Sequence, residues 1–160
     1  MTYKQKYSDI MEQCVMLSQF EGRDYYSEDG ESLYHVVKIT EQDRPLVLGY
    51  IQEGAHRLED MLERMISGSS YTEDGFEWEL RTEETRWNAD KHLAENMTDA
   101  LKCYAMSCWL DGRKSNRTEW YTNMYAEMSS LCQKSVMRKL PPKKRVKETR
   151  YTDTIEIETR

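Results

Sequence analysis

The side chains best suited to chemistry are four cysteines, Cys14, Cys103, Cys108 and Cys132, and three histidines, His35, His56 and His92. Together they could support a thiolate–imidazole nucleophile or a Cys/His zinc site. Both need partners at short, defined spacings. The chain has no CxxC pair, and no cysteine stands at zinc-ligand spacing from a histidine. Each cysteine falls instead on the apolar stripe of an expected helix, where a free thiol acts as a small hydrophobe. His56 and His92 lie on or beside such stripes and are expected to be satisfied structural residues. A glycine-rich phosphate loop, a nucleophile elbow, an HExxH pair and an EF-hand loop are all missing from the sequence. Acidic pairs such as Glu59-Asp60 and Glu83-Glu84 read as solvated faces. The expectation is a non-enzyme with no catalytic residue, metal or cofactor.

The remaining chemical signal is charge. Over 160 residues, 32% are charged, 38% are hydrophobic and the net charge is −6. That sum hides a basic stretch. Arg138, Lys139, Lys143, Lys144, Arg145, Lys147 and Arg150 face one acid, Glu148, between positions 138 and 150. An acidic body with a basic, proline-marked tail points to an arm that binds a partner. The run Pro141-Pro142-Lys143-Lys144-Arg145-Val146-Lys147 has three readings: a short nuclear-localisation signal, a phosphate-binding run, or a strap on an acidic protein neighbour. Met1 to Tyr7 shows no signal-peptide h-region, and no apolar run approaches the roughly 18 residues of a membrane span. The chain is expected to stay in the compartment where it is made, without membrane contact.

The elements that carry these residues follow from periodicity. Ile10, Cys14 and Leu17, flanked by Met11 and Val15, predict a helix from Tyr7 to Phe20, with Gly22 ending it. Residues 23–38 are rich in turn formers, and Leu33 to Ile39 predicts a strand or an extended lead-in. Thr40 and Asp43 compete to cap the next helix, and Pro45 favours the later start. The stripe Val47, Ile51, Ala55, Leu58, Leu62, Met65 predicts a helix over 44–66, stopped by Gly68. Gly49 and Gly54 within it cost about 1 kcal/mol each relative to alanine, which the close approach of another backbone would explain.

Glu73-Asp74-Gly75 signals a turn, and Phe76 to Leu80 alternates at period two, as a half-buried strand does. Leu93, Met97, Ala100, Leu101, Tyr104 and Cys108 mark a helix over 88–110, closed by Asp111-Gly112. Asn116 and Glu119 form a capping-box pattern opening a helix over 117–139, with Tyr121, Met124, Tyr125, Met128, Leu131, Cys132 and Val136 as its stripe. These two helices should pack as an antiparallel hairpin. Leu58, Leu101, Tyr104, Met128 and Leu131 are expected in the core. Trp109, Trp120, Tyr121 and Tyr125 flank the hairpin junction, where they either fill the core or meet a partner.

Pro141-Pro142 ends the last helix. Ile155 and Ile157 then alternate with Thr154, Glu156 and Glu158, a pattern suited to adding a strand to a sheet edge. Phe76 to Leu80 is the expected edge, with Phe76 and Trp78 as contact residues. The fold class is mainly α: an antiparallel bundle of about four helices over residues 1–140, with a small β insertion and an extended arm over 141–160.

Several stretches, in this order, resemble the small helical head–tail connector (adaptor) proteins of tailed bacteriophages, of the type found in Bacteroidales phages and prophages. They are Gly30-Glu31-Ser32-Leu33-Tyr34, Ile39-Thr40-Glu41-Gln42-Asp43 leading to Tyr50-Ile51 and Ala55-His56-Arg57-Leu58, and Gly75-Phe76-Glu77-Trp78-Glu79-Leu80. Ala100-Leu101-Lys102-Cys103-Tyr104, Trp109-Leu110 and Tyr125-Ala126 through Arg138-Lys139-Leu140-Pro141 complete the set. The resemblance covers most of the chain and includes no diagnostic motif. It implies a ring subunit of about twelve copies in the virion neck, made in the host cytoplasm and seated between the portal protein and the tail or neck proteins. It also implies no catalytic residues, with termini or loops that reach neighbouring subunits and a basic run that faces an acidic neighbour or packaged DNA in passing. The first helix and residues 22–38 are longer than a minimal connector needs, which leaves room for another neck or tail-completion role. The alternative is a helical nucleic-acid-binding or regulatory protein that uses the 138–150 tail on phosphates. An acidic body argues against a broad DNA-reading face.

Overall fold

The computed structural model describes residues 2–81 and 90–139. The order is β1 (Thr2–Lys6), α1 (Tyr7–Arg23), α2 (Tyr34–Val37), α3 (Arg44–Leu62), a 3₁₀ turn (Glu63–Met65), β2 (Ile66–Tyr71), β3 (Gly75–Leu80), α4 (Asp90–Leu110) and α5 (Ser115–Lys139). The protein is mainly helical with a small antiparallel sheet, as its periodicity predicts. The arm from Pro141 onward lies outside the described residues.

The predicted stripes become the core. Ile10 and Cys14 of α1, Val47, Ile51, Ala55 and Leu58 of α3, and Leu93, Met97, Ala100 and Leu101 of α4 are fully enclosed. Helix α1 runs through Gly22 rather than stopping there. A Cβ at that position would stand 3.0 Å from the Tyr34 ring, so the glycine makes room for α2. The segment Leu33–Ile39 is not a strand. It forms the single helical turn α2, and side chains satisfy its backbone: Ser18 Oγ accepts from the Ile39 N–H at 3.0 Å, and Trp109 Nε1 donates to the Val37 carbonyl at 2.6 Å. Those bonds take the place of a ladder.

Helix α3 begins after Asp43, whose carboxylate accepts from the Thr40 N–H and hydroxyl at 2.8 and 2.6 Å. It ends at Leu62 rather than at 66, and Gly68 belongs to β2. Gly54 accommodates a side chain rather than a backbone, since its Cβ would meet Tyr104 Cδ1 at 2.8 Å. Gly49 has open space around it, and nothing in the structure explains it. Helix α5 begins at Ser115, so Asn116 sits inside its first turn instead of capping it. The α4–α5 turn passes through Gly112 in the left-handed region, at φ 72°. α5 packs mainly on α4 and only lightly on α3, which makes it an outer helix. Tyr104, Met128 and Leu131, expected in the core, are therefore only half-buried; Tyr121, Ser129 and Cys132 are the buried positions among α5's described side chains.

The sheet order is β1-β3-β2. Strand β3 is thus central, with Tyr3 and Ser69 opposite Trp78 on its two sides. This corrects the expected docking edge. Both sides of Phe76–Leu80 are already paired, and Phe76 and Trp78 are buried among Tyr3, Tyr7 and Tyr71. They are core residues, unable to reach a partner. Among the described residues the outer strands of the sheet are β1, a strand not anticipated from the sequence, and β2.

Gly75 holds β1 to β3. A Cβ there would fall 2.2 Å from the Gln5 carbonyl oxygen, a backbone atom with nowhere to go. Gly75→Ala is expected to cost about 1–3 kcal/mol, with faster amide exchange at Thr2–Lys6. Unchanged stability and exchange would show that β1 is not held in this way.

Candidate functional site

Helices α1 and α5 meet around a buried carboxylate. Glu21, 4% exposed, accepts from Arg117 Nε at 2.9 Å and Nη2 at 2.8 Å, from Lys114 Nζ at 3.3 Å, and from the Tyr121 hydroxyl at 3.1 Å. Lys114 Nζ also donates to the Glu21 carbonyl at 2.7 Å. Burial alone would push the Glu21 pKa up, but the Arg117 and Lys114 bonds outweigh it and hold the carboxyl below its usual range. Sequence reading missed this tie. Lys114, Arg117 and Tyr121 recur at helical spacing on one face, which was the available signal, but their anion lies almost a hundred residues away.

A second cluster fastens β2 to α3. The Tyr71 hydroxyl donates to Glu59, Trp78 Nε1 donates to the Tyr71 oxygen at 3.4 Å, and the His56 ring lies 4.5 Å from the Tyr71 ring. Burial, then the bond to Glu59, raises the Tyr71 phenol well above its ordinary value. A third surrounds Tyr104, where burial and a hydrogen bond to Glu53 raise the phenol while the Arg57 guanidinium lies over the ring at 5.4 Å. The first and third clusters join elements distant in sequence, the second joins neighbours along the chain, and in each the polar atoms point at one another.

His56 and His92 are both exposed, each with a glutamate three residues on, Glu59 and Glu95. The cysteines follow the packing expectation: Cys14, Cys103 and Cys132 are buried and Cys108 is half-buried, all as free thiols. Burial pushes the Cys14 and Cys132 thiols up to about 12 and Cys103 to about 11, which keeps thiolate scarce near neutrality. Among the described residues, no three Cys, His, Asp or Glu side chains gather as a metal site. Nor is any described helix long and apolar enough to cross a membrane.

The surface offers two other features. Large apolar side chains lie outside the core: Met16 and Phe20 on α1 are 68% and 65% exposed, and Tyr26 and Trp120 are exposed as well. Trp120 lies edge-on to Tyr121 with Arg117 over its ring at 4.4 Å. Of the four aromatics at the hairpin junction, then, Trp109 and Tyr121 fill the core, Tyr125 is half-buried and Trp120 faces outward. Met16 and Phe20 stand four residues apart and off the core stripe, a pattern legible in the sequence.

The second feature is a groove of about 560 Å³ between β1, α1 and α4, lined among others by Gln5, Gln13, Ala94 and Thr98. At its margin Thr98 Oγ1 bonds the Tyr3 hydroxyl at 2.9 Å and Gln5 Oε1 at 3.1 Å. Of the basic residues singled out for partner binding, Arg138 and Lys139 stand at the end of α5. Lys143, Lys144, Arg145, Lys147, Arg150, Ile155 and Ile157 lie beyond it, outside the described residues. Comparison with protein-family models, curated proteins and solved structures finds no match to this chain.

Proposed function

We propose that this protein is a structural subunit that acts by binding other protein subunits, and that it is a ring-forming head–tail connector of a phage neck, set between the portal and tail or neck proteins. The observation that carries the assembly reading is the combination, among the described residues, of the outer strands β1 and β2 with exposed Met16, Phe20 and Trp120. Exposed aromatic and methionine side chains and an open strand edge are contact features of protein partners. The virion assignment rests on the sequence resemblance. No catalysis is assigned: the buried ionisable groups hold helices and strands together.

The arm supplies the contact. Its prolines stop α5, and its basic run is too densely charged to be buried unpaired. A chain truncated after Leu140 is expected to keep its circular dichroism and melting temperature while its mass in solution, alone or with portal protein, falls from ring to monomer. Normal ring assembly by the truncated chain would make the arm a passive tail. A salt-dependent gel shift on duplex DNA, with no assembly at all, would replace the connector reading with the nucleic-acid one.

A further inference from the structure

We propose that the groove beside β1 is the seat of residues 151–159 of a neighbouring copy, which enter it as a fourth strand against β1. This rests on the reading of the chain as a self-assembling subunit, and says where the contact is made.

The first observation is the edge. The β1 ladder to β3 uses one side of the strand, and its other side faces the groove, whose wall is Gln13 of α1 with Ala94, Glu95, Thr98 and Asp99 of α4, the two carboxylates lying beside His92 and Lys102. A strand laid there finds backbone groups on one side and a floor beneath. The second is the match of faces. Tyr3 and Gln5 of β1 turn toward the core, whereas Lys4 and Lys6 are exposed. The segment carries Ile155 and Ile157 at one parity and Glu156 and Glu158 at the other. With the isoleucines over the Tyr3–Gln5–Thr98 cluster, the glutamates rise beside Lys4 and Lys6. Lys4 already makes such a cross-strand pair on its other flank, with Nζ 3.5 Å from Glu77 Oε2. Strand β2, the other edge, offers Gly68 and Ser70 opposite Glu79 and Glu77 on that sheet face, and so no cation for the glutamates.

The third observation is where the body ends. Helix α5 returns along α4, so Lys139 lies near the start of α4, the end that lines the groove. From Lys139 to Tyr151 an extended chain covers roughly 40 Å at ~3.3 Å per residue, comparable to the diameter of a compact domain of this length. The prolines and dense charge between them favour an extended span. A span of that length is enough to reach the same groove on an adjacent copy.

The test uses full-length protein. An equal mixture of isotope-labelled and unlabelled chains is treated with carbodiimide, which joins lysine to a touching carboxylate. Joined peptides pairing Lys4 or Lys6 with Glu156 or Glu158 are expected to include mixed-isotope species. In the full-length double variant Ile155→Lys, Ile157→Lys, the amides of Thr2–Lys6 should exchange at least tenfold faster, while Ile66–Tyr71 stays unchanged and Gly75–Leu80 reports that the body is folded. Same-isotope products alone would mean that the arm folds onto its own chain and overturn the proposal, as would exchange altered at β2 or at neither edge. A ring that forms without these products overturns the groove assignment alone. Mixed-isotope products without a ring support the groove and remove the connector reading.

Discussion

Trp109→Ala is expected to lower the unfolding free energy by about 4–5 kcal/mol, measured from urea denaturation midpoints. Trp109 is among the largest fully enclosed side chains and lies where α4 meets α2. Truncating an enclosed Trp costs about 3–5 kcal/mol through lost transfer energy and the cavity left behind. The Val37 carbonyl, which accepts the 2.6 Å bond from Trp109 Nε1, would also lose its partner, a penalty of about 1–3 kcal/mol that overlaps the first. The Arg113 guanidinium, 3.8 Å above the ring, would lose its stacking surface. Trp109→Phe separates the contributions, since it keeps most of the packing and removes the donor. It should cost about 1–3 kcal/mol. A loss below about 2 kcal/mol for Trp109→Ala would show that α2 is not anchored through this residue.

The second large effect belongs to Glu21. Removing one partner of a buried ion pair costs about 3–5 kcal/mol because the other charge is left without compensation. Arg117 is partly exposed and can recover some hydration, so Glu21→Ala is expected near the lower end, about 3 kcal/mol. Tyr121→Phe, which removes one neutral donor to the same carboxylate, should cost about 1 kcal/mol. The pH dependence follows from the depressed folded-state pKa of Glu21, where the Arg117 and Lys114 bonds outweigh the opposing effect of burial. Its contribution is fully present above the unfolded glutamate value of about 4.3 and is lost as pH falls through the lower folded value. The stability gap between wild type and Glu21→Gln should therefore hold at pH 7 and narrow below pH ~4. A gap independent of pH would remove the charged pair as its source.

Periodicity was a good guide to helices because a core-facing stripe is a local property of the chain. Val47 through Met65 and Leu93 through Leu101 are buried as their spacing predicts. It overstated burial at Tyr104, Met128 and Leu131, since the stripe says which face turns inward and not how much material covers it. β1 was missed although Tyr3, Gln5 and Tyr7 share one parity, because a strand of five residues at a chain end carries too few repeats to stand out. The exposed pair Met16 and Phe20 was legible as large apolar residues off the stripe.

The helical body, the hairpin of two long helices, the cysteines used as packing and the basic run around Pro141-Pro142 were all legible in the chain itself. Each follows from residue type and spacing within a few turns of chain. It took the folded chain to place Phe76–Leu80 at the centre of its sheet, to make Glu21 the anion for Lys114 and Arg117, and to put β1 and β2 on the outside of the sheet among the described residues. Those facts depend on which distant segments pair, through bonds between residues up to about a hundred positions apart. Local periodicity holds no record of such pairings, because any strand of the right parity, or any cation on the right face, satisfies it equally well.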